Sequence, residues 1–191
     1  MSQELVNQPC PICGENYLIS SKSLESFPGF RNNCERCGTY DIDQVLVGLK
    51  DKPWLNVRHL VSAWVSRENK AGITPNIGKS ATLEDISNPE WWKNKFRYMG
   101  FPETTAEKLN ALLLALASMT KGDYLANIMP EPSTIAIIAA KNKEEVFGLA
   151  QLLRDLGYLK QYGSTPRSIF TARGWLQVDE LRKSEEESPH N

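Results

Sequence analysis

The chain contains four cysteines, Cys10, Cys13, Cys34 and Cys37, and no others. Their pattern is C-x2-C, a gap of twenty residues, then C-x2-C. Each pair runs into a glycine, Gly14 or Gly38, giving the strings CPICG and CERCG. A C-x2-C turn aims two sulfurs at one point, and the glycine lets backbone amides approach them. Two such knuckles, joined through a short β-hairpin excursion, make a tetrahedral S4 cage. Zinc is the expected occupant, one ion per chain, because soft thiolates and closed four-coordination suit it. Iron in a rubredoxin-like cage is the alternative. Four thiolates leave no open position for water, so the metal is expected to hold the fold and do no chemistry.

Other uses of the cysteines fit less well. Disulfides belong to oxidising compartments, and the opening MSQELVNQ has neither the basic nor the apolar region of a secretory signal. A thioredoxin-like redox pair needs one C-x-x-C in a βαβ context, not two facing knuckles. The string PCPIC imitates half of a zinc-deaminase motif, but no histidine precedes Cys10 to complete H-x-E.

Composition narrows the class further. With 41% hydrophobic and 24% charged residues over 191 positions, the chain is globular and long enough for one or two small domains. No apolar run approaches the ~20 residues that span a bilayer. The expected setting is therefore cytoplasmic, without a membrane partner. The formal charge of −1 falls to −3 once four thiolates and a divalent ion are counted. That argues against a histone-like polycation but leaves room for a local basic face.

The reading along the chain is α+β. Residues 1–43 form a zinc ribbon, with strands at Tyr17–Ser20 and Thr39–Ile42 and a turn at Pro28-Gly29. A piece this short has too little core to fold alone, so metal is its staple. Residues 44–103 form a helical connecting region. Asn56 is placed to cap a helix reaching about Asn69, with Val57, Leu60, Val61, Trp64 and Val65 on one stripe. His59 lies off that stripe and reads as a surface histidine. Gly72 to Pro89 is turn-rich. Trp91, Trp92, Phe96 and Tyr98, interleaved with Lys93, Lys95 and Arg97, read as a packing patch rather than a base-stacking surface.

Residues 104–183 form the second domain. Thr104 with Glu107 is a capping box opening a helix to about Met119. Ser133–Ala139 is β-branched and apolar and reads as a buried strand. Asn142 and Glu145 open a helix over 143–156, which Gly157 ends. Tyr158–Gln161 and Ser168–Thr171 form a hairpin, and Thr171 caps a last helix to about Arg182. Residues 184–191, rich in glutamate, read as a disordered acidic tail.

The phrase LRDLGYLKQ…SIFTARGWLQVDEL resembles the recognition-helix, wing and closing-helix segment of bacterial winged-helix proteins. There a glycine-aromatic step starts the wing and a T-x-x-G turn opens the final helix. The second helix of a helix-turn-helix is not evident between 120 and 141. The order of ribbon, RHLVSAWVSREN helix, EKLNALLLALAS helix and winged helix is similar to the N-terminal half of bacterial conflict or anti-phage proteins. In that family a separate effector follows. The resemblance implies a role in bacterial defence, either as a complete adaptor or as a piece of a longer protein.

No catalytic constellation emerges. The two histidines, His59 and His190, lie far apart in sequence, Gly78-Lys79-Ser80 lacks the upstream glycine of a phosphate loop, and no G-x-S-x-G occurs. The expected function is thus a non-enzymatic, zinc-stabilised binding module. Double-stranded DNA is the leading partner, through Lys141, Lys143, Arg154, Lys160 and Arg167 on the 143–156 helix and its wing. The alternative is an adaptor or sensor for a protein effector.

Overall fold

A computed structural model describes residues 4–6, 9–15, 19–25, 28–49, 52, 54–78, 84–85 and 88–187. They form two compact units, Met1–Phe101 and Pro102–Asn191. The first holds a five-stranded sheet in the order β1 (Glu4–Val6), β2 (Ile19–Ser23), β3 (Gly29–Cys34), β4 (Gly38–Asp43), β5 (Asn76–Ile77). The first four strands are antiparallel neighbours, and β5 joins β4 in parallel. Tyr17 and Leu18, read as the start of a strand, lie outside the described residues, whereas Ile19 and Ser20 are in β2.

A short helix α1 (Gln44–Gly48) follows β4, capped by the Asp43 side chain. Helix α2 (Arg58–Lys70) is entered through a 3-10 turn at Leu55–Val57. The expected Asn56 cap does not form, because Asn56 lies inside that turn, and the N-cap Val57 has no side-chain bond to give. The apolar stripe is buried at Val57, Val61, Trp64 and Val65.

Helix α3 (Pro89–Arg97) begins with Pro89 in its first turn and Asn88 accepting from the Glu90 amide. It buries Trp92 and Phe96, while Tyr98 is exposed. Trp92 meets Trp54 edge-on at 5.7 Å, and Phe96 meets Trp64 at 6.3 Å and Phe101 at 6.0 Å. These rings are core, as packing demands of side chains this large. Trp54 Nε1 donates to Pro11 O at 3.1 Å, fastening the aromatic layer to the first cysteine knuckle.

The second unit packs α4 (Thr105–Met119), α5 (Pro132–Ile137), α6 (Lys143–Asp155), the hairpin β6 (Leu159–Gln161)–β7 (Ser168–Phe170) and α7 (Ala172–Glu187) around one core. Leu112, Leu113, Leu116, Ile135, Ile138, Val146, Leu149, Leu153 and Val178 form its centre. The Thr104–Glu107 capping box is present. Ile128 pairs with Ser168, adding a third edge to the hairpin.

The segment expected as a strand at Ser133–Ala139 is helical. Pro132 occupies the first helical position, where its fixed φ and missing N–H are tolerated. The Glu131 amide donates to Thr134 Oγ1 at 3.2 Å, closing the first turn. An apolar run this short carries no periodicity that separates a buried strand from a buried helix. Ala139 takes a left-handed φ of 51°, and the Ala140 amide bonds back to Ile135 O. That turn directs the chain into α6. Helix α7 runs to Glu187, so the first four residues of the segment expected as a disordered tail, Ser184 to Glu187, are helical; residues 188–191 lie outside the described residues. Among the described residues, no helix is long and apolar enough to cross a membrane.

Candidate metal centre

Cys10 and Cys13 lie on the turn between β1 and β2, and Cys34 and Cys37 flank the tight β3–β4 turn. Two glycines allow these knuckles to close. Gly14 has φ 74° and its amide donates to Cys10 O at 2.8 Å. Gly38 has φ 90°. Side chains at these positions would be strained and would also collide, at Gly14 with the Arg58 guanidinium and at Gly38 with the Asn69 amide.

All four sulfurs lie within 4.8 Å of one another and all four cysteines are buried. Cys10 Sγ is 3.9 Å from Cys37 Sγ, and Cys13 Sγ is 3.9 Å from Cys34 Sγ. These separations are far beyond the ~2.05 Å of a disulfide. They match the edge of about 3.8 Å in a tetrahedron with metal–sulfur bonds of ~2.3 Å. The donor set therefore fits one tetrahedral ion, and four soft sulfurs suit zinc or iron. The closeness of the other three thiols pushes the Cys10 thiol far down, whereas burial pushes Cys37 well up. A divalent cation at the centre of the four sulfurs would bind all of them as thiolates.

Residues beyond the cysteines complete the surroundings. Tyr40 Oη lies 3.1 Å from Cys10 Sγ, and Ser62 Oγ lies 3.2 Å from Cys37 Sγ. Burial, then the charge at Cys10, pushes the Tyr40 phenol up, so its hydroxyl keeps its proton. Arg36, buried between Cys34 and Cys37 in sequence, sets a guanidinium nitrogen 3.6 Å from the Glu15 carboxylate. Arg58 donates to Cys13 O at 3.2 Å. Asn69 accepts from the Thr39 amide and donates to Thr39 O, both at 2.7 Å. Sequence reasoning missed these partners. The only signal was a polar spacing in α2, Arg58, Ser62 and Asn69, that runs beside its apolar stripe. His59 lies on α2 and is half-buried.

The candidate nucleic-acid residues sit on and beside α6. Lys141 and Lys143 are exposed at its N-terminus, and Lys160 and Arg167 are exposed on the hairpin. Arg154 is differently placed. It donates to Ser168 Oγ at 3.1 and 3.0 Å and to Pro166 O at 3.0 Å, tying α6 to the hairpin. The outer face of α6 presents Glu144, Phe147, Gly148, Gln151, Leu152 and Asp155.

No family model, curated protein or solved structure matches the chain.

Proposed function

We propose that the chain is a non-enzymatic binding module, stapled by one structural zinc ion, whose second unit is a winged helix that contacts duplex DNA through phosphates. The order α4, a strand-like edge at Ile128, α5, α6, hairpin, α7 supports the winged-helix reading. Helix α5 stands where a helix-turn-helix needs its second helix. Helix α6 is then the groove-facing element and the β6–β7 turn the wing.

The observation that carries the DNA reading is the distribution of charge. Lys141, Lys143, Lys160 and Arg167 are exposed on the α6 N-terminus and the wing, against two exposed acids on α6, Glu144 and Asp155. The third α6 acid near them, Glu145, is engaged by Lys108 at 2.6 Å. Most of the unit's other acids lie on other elements, notably Asp179, Glu180 and Glu185 to Glu187 on α7. Gln151 is the one amide side chain on the outer face of α6, and it is bonded to Asp155 and Arg154. The contact is therefore backbone-directed and weakly selective for sequence.

Fluorescence anisotropy of the full chain with a labelled duplex, across a salt series, tests this. Four phosphate contacts give a log–log salt slope of about −3.6. Absence of binding at micromolar protein and low salt would overturn the reading. A protein partner is the second reading, favoured by the exposed Phe147, Leu152 and Leu156 on or at the end of α6. The resemblance in segment order to bacterial conflict proteins supports placing either activity in a defence system, as a sensing or adaptor part.

A further inference from the structure

Helix α2 contributes to both cysteine knuckles. Arg58, Ser62, Val65 and Asn69 are spaced by four, three and four residues, so they share one helical face. Arg58 holds the first knuckle through Cys13 O. Asn69 holds the strand that leaves the second knuckle through both backbone groups of Thr39. Between them, Ser62 is fully buried, and its hydroxyl lies 3.2 Å from Cys37 Sγ. A helical serine commonly turns its hydroxyl back to the preceding turn or out to water. Burial closes the second of those options here, and a sulfur lies within reach.

Tyr40 provides a matching contact from the sheet. It too is fully buried, with its hydroxyl 3.1 Å from Cys10 Sγ. Cys10 and Cys37 are themselves one 3.9 Å edge of the sulfur cluster. The two hydroxyls therefore serve one edge, one ligand from each knuckle. Metal-bound sulfur carries no proton, so in the loaded centre only the O–H groups can donate.

We propose that α2 is a wall of the metal centre, and that Ser62 and Tyr40 form a hydroxyl pair that holds Cys37 and Cys10 as hydrogen-bonded thiolates of reduced reactivity. An O–H···S bond draws negative charge from the sulfur and fixes its lone-pair direction. Outer partners of this kind commonly change metal affinity 10–100-fold when removed. The pair also makes metal loading and the seating of α2 a single event, since α2 has a bonded partner on the cluster itself.

The test uses the full chain loaded with zinc, and separately with cobalt as a coloured substitute. Ser62→Ala and Tyr40→Phe should each weaken zinc about tenfold in chelator competition. Each should move the sulfur-to-cobalt charge-transfer band to lower energy and speed alkylation of the metal-bound thiolates several-fold. Ser62→Thr keeps a hydroxyl and should restore the band position. An unchanged band and an unchanged alkylation rate in variants with wild-type circular dichroism would overturn the proposal. If Ser62→Ala fails to fold, Tyr40→Phe, which keeps the ring, decides by the same two readings. A chain that takes up neither zinc nor cobalt would overturn it as well. None of these readings depends on DNA binding.

Discussion

Lys108 Nζ lies 2.6 Å from Glu145 Oε1, joining the first part of α4 to the first turn of α6. The lysine side chain is 10% exposed and the glutamate 27%, so this pair is shielded far better than a surface ion pair. Glu145 also accepts from the Lys141 amide at 2.7 Å. Burial opposes its charge, but the Lys108 bond, the Lys141 amide and both lysine charges outweigh it. The carboxyl therefore titrates below its ordinary value of 4.5. A lowered carboxyl contributes stability that is fully present above the unfolded value and is lost as pH falls through the folded one. The second unit should accordingly weaken below about pH 4.5. Glu145→Gln should cost about 1.5–3 kcal/mol at neutral pH, since it leaves a nearly buried ammonium without its charged partner. It should also flatten that acid dependence. Urea melts at neutral and acid pH check both effects.

Gly174 is required by a close approach at the start of α7. A Cβ there would collide with the Tyr158 carbonyl oxygen. Thr171 Oγ1 donates to Gly157 O at 2.6 Å and accepts from the Gly174 amide at 3.0 Å. The T-x-x-G string thus seats α7 on the glycine that ends α6. Gly174→Ala should destabilise the second unit by about 1–3 kcal/mol, the usual cost of forcing atoms into a filled space. Thermal melting of the variant measures it. A melting temperature equal to that of the parent would contradict the contact.

Loading should give one metal ion per chain through Cys10, Cys13, Cys34 and Cys37, and any single Cys→Ser replacement should lose it. Elemental analysis and native mass spectrometry count the ion and distinguish zinc from iron. Removal should loosen more than the ribbon, because Trp54 is bonded to Pro11 O and Ser62 to Cys37. Four of the five tryptophans, Trp54, Trp64, Trp91 and Trp92, lie in the first unit, and Trp175 lies in the second. A strong chelator should therefore change most of the tryptophan emission while leaving the α4–α7 helical signal. One cooperative loss of both signals would mean that the second unit does not fold on its own core.

What could be read from the sequence was local. The Thr104–Glu107 box, the Asn142 cap and the Gly157 stop each depend on residues within a few positions of one another, as does each C-x2-C pair; only the repetition of that pair links the two knuckles across a gap of twenty residues. Asn142 does accept from the Glu145 amide, at 2.9 Å. The misreadings have physical causes. The Ser133–Ala139 segment is buried on several sides, and burial removes the polar positions that would reveal its period. Asn56 has the right chemistry for a cap, but the 3-10 turn takes it up and moves the cap position one residue on, to Val57. The partners of the metal site were illegible for another reason. Tyr40 and Ser62 are separated from their sulfurs by 30 and 25 residues, and unlike the cysteines they belong to no spacing motif that reports such a contact. Arg154 looks like a free cation in the sequence, because its bonds to Ser168 and Pro166 exist only where the hairpin folds back on α6.

Lys160 and Arg167 differ in role from Arg154. Lys160 and Arg167 flank the wing turn and are exposed, so replacing both by glutamate disturbs no contact of the core. Each phosphate contact releases condensed counterion and adds ~0.9 to the salt slope. The double variant should therefore bind duplex DNA at least about tenfold more weakly and with a slope shallower by about 1.8. Its circular dichroism and melting temperature should match the parent. Arg154→Ala should behave in the opposite sense, lowering the melting temperature through the lost wing tie while leaving the salt slope of the folded protein unchanged. If Lys160→Glu with Arg167→Glu left affinity and slope intact, the wing would not be the DNA contact. If the parent bound no duplex at all, the exposed Phe147 and Leu152 would direct the search to a protein partner. In that case Phe147→Ser, measured against a candidate effector, replaces the salt series as the deciding experiment.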